Sequence, residues 1–377
     1  MVRRYMAAMV CAVLACATLV PGQLALAQEK ASDKASDKTY EQMVNKAVEF
    51  LTTKAQDADG AYNAKAGPAV TALVTAALLK HGRSPSDPQI AKSLKYLEGF
   101  VRADGGIHAA ETNHKNYETA ISLVAFSLAN KDGKYDTIIK AGDKYMKSLQ
   151  WGATDGKQPS DVEYGGAGYG KNKRPDLSNT SFFIDALKAT GNDESSEAMK
   201  RALLFVSRCQ NLETEHNTTP FAAKKPDGGF YYTPAAGGSS QAGVDETTGA
   251  LRSYASMTYA GLKSMIYAGV KKDDQRVVAA QKWLAKNYDL NSNPGMGTSG
   301  LYYYYHTMAK TLDAVGQDKF VDEKGVAHDW RKEIIETLAA KQQPDGSWVN
   351  TDPRWMEGDS AIVTGYALLA LAHTKAK

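Results

Sequence analysis

Two kinds of helix-length segment alternate along the chain, and they differ in how apolar and polar positions are arranged. The first kind has a single apolar stripe. It holds a large residue followed by an aliphatic one, at Phe50-Leu51, Tyr96-Leu97, Tyr145-Met146, Phe205-Val206, Trp283-Leu284 and, more weakly, Thr337-Leu338, about 45 to 80 residues apart. Four of these segments run on into a glutamine: Gln56, Gln150, Gln210 and Gln342. The second kind is apolar on nearly all sides: VTALVTAALLKHG, YETAISLVAFSLAN, TSFFIDALKATG, SMTYAGLKSMIYAG, YYYHTMAKTLDAVG and AIVTGYALLALAHT. A helix with one apolar stripe lies on a surface, whereas one without a polar face is buried all round. The pattern therefore predicts outer helices alternating with inner ones.

Turns separate the members of each pair. Asp59-Gly60, Asp104-Gly105, Asp227-Gly228 and Asp345-Gly346 each supply the positive φ of a tight turn, and a larger residue follows: Tyr62, Ile107, Phe230 and Trp348. Gly82, Gly191, Gly269 and Gly316, with Asn130 for a fifth, stand where an inner helix should stop. The units fall at 41–82, 88–130, 136–191, 195–270, 274–316 and 329–374. An open row of such pairs needs polar end caps, and the last inner segment is as apolar as any other, so closure into a ring is favoured. The expected fold is all-α: an (α/α)6 toroid over 41–377, with six parallel inner helices whose amino ends share one mouth.

The amino end reads differently. Arg3 and Arg4 precede an apolar run from Tyr5 to Val20, then Pro21, Gly22 and Ala25-Leu26-Ala27, which marks 1–27 as a signal peptide and the protein as exported, to the periplasm or the exterior. The run is too short to span a membrane. Cys16 is poorly placed for lipid attachment, because Leu14 is bulky and apolar sequence continues beyond it. Residues 28–40, including the repeated ASDKASDK, read as a flexible charged tether. Cleavage removes two arginines and no acids, taking the formal charge from +3 to about +1. No basic footprint for nucleic acid is left. Cys209 is then alone, so no internal disulfide forms.

The terminal unit, Thr337-Leu338 through Gln342 to Gly346-Ser347-Trp348, resembles the QW repeat of squalene and oxidosqualene cyclases. The unit Phe205-Val206…Gln210 is similar, with an insertion before Asp227-Gly228-Gly229-Phe230. The resemblance is to the terpene cyclase and protein prenyltransferase toroids, and it implies one of two chemistries. The cyclase acid segment corresponds to Glu357-Gly358-Asp359-Ser360-Ala361, where Gly358 replaces the proton-donating carboxyl. The prenyltransferase zinc set fits worse: Cys209 lies on an outer helix, and His306, in Tyr302–Thr307, supplies one ligand where several are needed. Neither a metal nor a cofactor is expected. A thioester toroid of the complement type is excluded by the missing cysteine motif.

The repeats bring Asn116, Tyr117 and Glu118, Asp176, Ser178 and Asn179, Arg252, Ser253 and Tyr254, Tyr304, Tyr305 and His306, and Glu357 with Asp359 to the shared mouth. Six helix amino ends there would suit an anionic head group, helped by Lys171, Lys173 and Arg174. The resemblance implies Asp359 or Asp176 as acid, His306 as proton relay, and Tyr254, Tyr304 and Tyr305 as rings that steady cations. Glu118, Asn179 and Arg252 complete the expected ligand set. A structural reading stands beside each: Asp176, Ser178 and Asp359 suit helix caps, His306 and the tyrosine run suit a core, and Lys171–Arg174 suit a solvated loop. Arg252, among buried helix starts, requires an acid or an anion.

Three functions follow. The first is an exported toroid that binds an isoprenoid-like or other elongated apolar or amphiphilic molecule, with acid-initiated cyclisation or isomerisation as its chemistry. The second is a non-catalytic binding or scaffold protein that has lost the acid. The third is an α/α-barrel carbohydrate enzyme, with Glu118, Asp176 and Asp359 facing one another as paired carboxylates. The insertion 211–225 is either a lid over the mouth or a loop.

Overall fold

The computed structural model describes residues 37–375. The signal segment 1–27 and the tether up to residue 36 lie outside the described residues. The rest of the expected tether, 37–40, is already helical. Tyr40, Met43, Val44 and Ala47 form a buried stripe that carries the helix into the last two residues of the low-complexity run.

Among the described residues, twelve helices alternate outer and inner. The outer ones are α1 (37–50), α3 (Pro88–Glu98), α5 (Asp136–Leu149), α7 (Glu197–Arg208), α9 (Gln275–Lys286) and α11 (Trp330–Lys341). The inner ones are α2 (Pro68–Lys80), α4 (Lys115–Ala129), α6 (Leu177–Ala189), α8 (Ala255–Tyr267), α10 (Leu301–Val315) and α12 (Ser360–Ala372). Burial follows the sequence pattern. In α5 only Gly142, Tyr145, Met146 and Leu149 are buried, whereas eleven successive residues of α12, Ala361 to Leu371, are. Each inner helix packs on the next, and α12 packs on α2, so the ring is closed. A short antiparallel hairpin, Phe320–Val321 with Ala327–His328, stands outside the ring.

The recurring residues explain how one unit grips the next. Gln56 Nε2 donates to Gln89 O, Gln150 Nε2 to Ala198 O, and Gln210 Nε2 to Arg276 O, each on the following outer helix. Gln342 Nε2 donates to Met43 O of α1, which joins the last unit to the first. The turn glycines press on the same helices. A Cβ on Gly346, at φ +93°, would lie 2.3 Å from Lys46 O, and one on Gly105 would lie 2.5 Å from Ala141 O. Only glycine combines that dihedral with so close an approach.

A further repeat feature is not obvious in the sequence. The residue after each turn donates its backbone N–H to a threonine near the start of the same unit's inner helix: Tyr62 to Thr71, Ile107 to Thr119, Ala167 to Thr180, Phe230 to Thr258 and Trp348 to Thr364. The fifth unit substitutes tyrosines, Tyr304 and Tyr305, whose hydroxyls donate to Asp289 O and Leu290 O at 2.6 Å. The four glycines expected beyond inner helices do take positive φ. Asn130 does not: it stays at φ −82° and instead accepts from Tyr135 N while donating to Asp136.

Candidate functional site

The first turns of all six inner helices surround a cavity of about 680 Å³. Val70 and Leu73 of α2, Tyr117, Glu118 and Ile121 of α4, Ser178 of α6, Met257 of α8, Tyr303 of α10, and Ile362 and Tyr366 of α12 line it. Loops add Tyr169, Tyr232, Tyr254, Trp355, Met356 and Glu357. Aromatic rings form its inner wall. Tyr117 lies 4.3 Å from Phe182, Phe182 stacks 6.2 Å from Tyr303, and Tyr303 meets Tyr366 edge-on at 5.9 Å. An apolar pocket with a few placed polar groups is the usual form of a small-molecule site.

Contrary to the expectation of free N–H groups, five of the six helix amino ends at this mouth carry acceptors, and α2 alone is uncapped. The Glu357 carboxylate accepts from Tyr302 N at 3.1 Å and Tyr303 N at 2.8 Å, capping α10 from the neighbouring unit. Asn293 accepts from Ser256 N of α8, Tyr232 O from Leu177 N of α6, and Tyr169 O from Asn116 N of α4. Asp176 and Asp359 cap α6 and α12 themselves. The dipole attraction that would draw an anion is spent on protein acceptors.

Several expected site residues therefore move to structural roles. Asp359 accepts from Ala361 N and Ile362 N and receives Asn63 Nδ2 at 2.7 Å, and it does not line the cavity. Asp176 is fully buried behind the wall, bonded to Asn179 N at 2.8 Å and Asn179 Nδ2 at 2.9 Å, with the Tyr232 hydroxyl against it. Burial raises its pKa to about 6 against the pull of those hydrogen bonds. Asn179 in turn accepts from Asn116 Nδ2, a buried chain that orients α4 against α6. The carboxyl trio Glu118, Asp176 and Asp359 is thus not assembled across the mouth, because two of the three are turned back onto helix ends.

Tyr304 and Tyr305 face the 289–290 loop, and their neighbour Tyr303 is the one that enters the cavity. His306 is buried below the mouth, 6.0 Å from the Tyr366 ring, with no hydrogen-bond partner for Nδ1 among the described residues. Burial first, and the positive charges of Lys310 and other neighbours next, hold its pKa well below the ordinary value, so the ring is neutral. Arg252 is exposed: α8 begins at Ala255, and the chain before it turns outward. Lys171 pairs with Asp155, and Arg174 lies outside the Tyr232 ring, so neither points into the cavity.

Of the expected residues, Glu118 and Tyr254 do line the cavity, with Tyr117, Ser178 and Glu357. Sequence reasoning missed Tyr303, Tyr366 and Trp355. The signal for Tyr366 was present, as the one aromatic in the otherwise small and aliphatic SAIVTGYALLALA. The insertion 211–225 is a loop outside the cavity lining, held by Asn211 Nδ2 to Leu251 O and Asn217 Nδ2 to Gln210 O. The mouth is instead bridged by Gln241 of the following loop, which accepts from Arg354 at 2.7 Å.

This geometry has a counterpart among solved structures. A variant of the type II terpene cyclase MstE from Scytonema, without ligand, aligns at 13% identity with a TM-score of 0.54, over 90% of this chain and 98% of that chain. The ring is a terpene-cyclase-like toroid. Another variant of MstE, in complex with geranylgeranyl dihydroxybenzoate as its substrate, aligns at 11% identity over 90% of this chain and 98% of that chain, with a TM-score of 0.34 that carries no argument. No protein-family model matches the chain, and no curated protein matches it in sequence. Likeness at this identity establishes the fold, while function has to be argued from the site.

Proposed function

We propose that this protein binds an elongated apolar or amphiphilic small molecule, isoprenoid-like in shape, in the mouth cavity, and that it does so after export. The observation that carries the reading is the aromatic and aliphatic wall built from the first turns of all six inner helices. Burial keeps Tyr254 and Tyr366 as neutral phenols, so these two side chains present ring faces and hydroxyls to the cavity without adding charge. None of Asp359, Asp176 and His306 lines the cavity, which favours binding over acid-initiated chemistry. Among the described residues no helix is long and apolar enough to cross a membrane. The ligand would enter from solvent or from a membrane surface.

One observation favours an enzymatic second reading. Asp176, with its raised pKa, lies against the hydroxyl of Tyr232, a residue of the cavity lining. A proton passed from Asp176 through Tyr232 to a bound alkene would start cyclisation or isomerisation. The test is incubation with geranylgeraniol and with squalene, followed by mass spectrometry of the extracted ligand, for the native chain and Asp176→Asn. Unchanged ligand recovered bound to both proteins supports the binding reading. A new product that disappears in Asp176→Asn establishes the enzyme, and absence of bound ligand overturns both.

A further inference from the structure

We propose that the molecule in the mouth cavity carries an ammonium head on its apolar body, and that the Glu118 carboxylate anchors it. This rests on the reading that the cavity is a ligand site, and it reverses the anionic head group that six helix amino ends would suggest.

The charges of the lining point this way. Lys65, Glu111 and His114 belong to the exposed rim, while Glu118 and Glu357 are the ionisable lining residues buried to 3% and 1% exposure. No lysine or arginine is buried in the lining. Two arginines stand nearby but on the outer side of rings: Arg174 lies 5.5 Å from Tyr232, and Arg354 lies 4.1 Å from Trp355 and is tied to Gln241. With acceptors already seated on the amide ends of five of the six inner helices, α2 being the exception, a phosphate entering here would meet mostly carboxylates and phenols.

The two buried carboxylates are not equivalent. Glu357 accepts from two backbone amides and from Asn350 Nδ2, and the positive end of α10 opposes its charge. Glu118 accepts from Ala109 N on one oxygen and from the Thr112 hydroxyl on the other, which leaves half of its acceptor capacity open. Its open side faces Gly67, where a Cβ would come within 3.4 Å of the carboxyl carbon, so the absent side chain keeps that side uncovered. A buried carboxylate with unused lone pairs and no cation is costly, and a charge-assisted N–H donor removes that cost.

A second observation is independent of charge. Tyr254 and Tyr366 are 3% and 6% exposed and line the cavity, and neither hydroxyl makes a hydrogen bond among the described residues. Open to the cavity rather than sealed in the core, these hydroxyls are free to bond to whatever occupies it. Within the same cavity they offer two acceptors, and their rings with those of Tyr117 and Tyr303 offer negative faces to a cation.

The test compares decylammonium, decanol and decyl phosphate by isothermal titration calorimetry, each below its aggregation concentration. Decylammonium is expected to bind at least about tenfold more tightly than decanol, and decyl phosphate most weakly. Glu118→Gln, with folding checked by circular dichroism, is expected to weaken decylammonium by at least about tenfold and to close the gap between it and decanol. The order of the three ligands on the native chain decides the matter even if that variant does not fold. Decanol equal to decylammonium, or decyl phosphate tightest, overturns the head-group assignment while the pocket stands. No binding of any of the three overturns the pocket reading as well.

Discussion

At the mouth, where the inner helices begin, carboxylates and carbonyls cap the amide ends: Asp176 on α6, Asp359 on α12 and Glu357 on α10, around a cavity walled by tyrosines. Toward the far end, where the same helices finish, the interior holds cations. Lys263 Nζ lies 2.7 Å from both oxygens of Asp185, and Lys310 Nζ lies 2.8 Å from one of them, with all three side chains largely buried. Burial works against the Asp185 charge, but the two lysines outweigh it and hold that carboxyl below its ordinary pKa. Burial lowers Lys263 to about 8, with Asp185 opposing the shift.

Parallel helices impose this asymmetry. Six positive ends at one rim favour acids there, and six negative ends at the other favour bases. One face of α10 records the change along the axis, with Tyr303 in the cavity, His306 beneath it and Lys310 in the ion cluster. Because the far end is filled by its own ion pairs and the mouth is walled by rings, the ring is closed below and open above.

The largest effect that would separate the two ends is expected at Asp185. Asp185→Asn leaves two buried lysines without a counter-ion and should cost about 3–5 kcal/mol in urea unfolding. Lys263→Met leaves the Asp185–Lys310 pair intact and should cost no more than about 1 kcal/mol, since replacing a buried ion by an apolar chain is often neutral. Equal losses in both would show that the cluster does not act as an ion network.

Acid should strike the far end first. His81 and His373 are held at about 4 by burial, and His306 is also lowered. Between pH 4 and 6.5 the unfolded chain binds more protons at these histidines than the folded one, so stability climbs with pH across that window. Asp176 runs the other way. Its folded pKa of about 6 exceeds the ordinary 3.8, so between those values the folded chain binds the extra proton and stability falls as pH rises. Three histidines set an upward course from pH 4 to 6.5, and Asp176, with Asp227 and Glu357 also raised by burial, subtracts from it. His373→Asn should flatten the profile and Asp176→Asn should steepen it, as read from unfolding midpoints across pH.

At the mouth the expected effects are on binding more than on stability. Trp355 and Met356 hold φ of +55° and +66°, unusual for such side chains, and Trp355 packs over Gly300. Backbone strain of this kind collects at ligand sites. Trp355→Gly relieves the left-handed position while removing ring contact, so stability should change by less than about 1 kcal/mol while decanol affinity falls roughly tenfold. The smallest effect is predicted for Asp359→Ala: about 1 kcal/mol from the lost cap, with ligand affinity unchanged. A loss of affinity there would restore Asp359 to the site.

Much of the ring was legible because outer and inner helices differ in how many faces are apolar, and because Gln342 and Gly346 repeat features whose partners lie in the next unit. The ring seal at Met43 and Lys46 follows from that repetition. The threonine ladder was hidden, since the distance from turn to threonine varies from 9 residues at Tyr62 to 28 at Phe230. The site was harder to read because side-chain direction depends on helix phase. Four consecutive tyrosines give no phase, and it is Tyr303 that faces the cavity while Tyr304 and Tyr305 turn to the 289–290 loop. Arg252 lies three residues ahead of Ala255, close enough in sequence to share the mouth, but the loop there faces outward and exposes it, a direction that nearness to a helix start does not reveal. The capping of α10 by Glu357 joins residues 55 apart in different units, and no local pattern reveals it.

The most direct test is a crystal structure of the chain grown with geranylgeraniol. The alcohol is expected inside the mouth ring, its chain against Tyr117, Tyr254 and Tyr366 and reaching toward Phe182. Geranylgeraniol seated on the outer helices, with the mouth cavity left to solvent, would contradict that expectation.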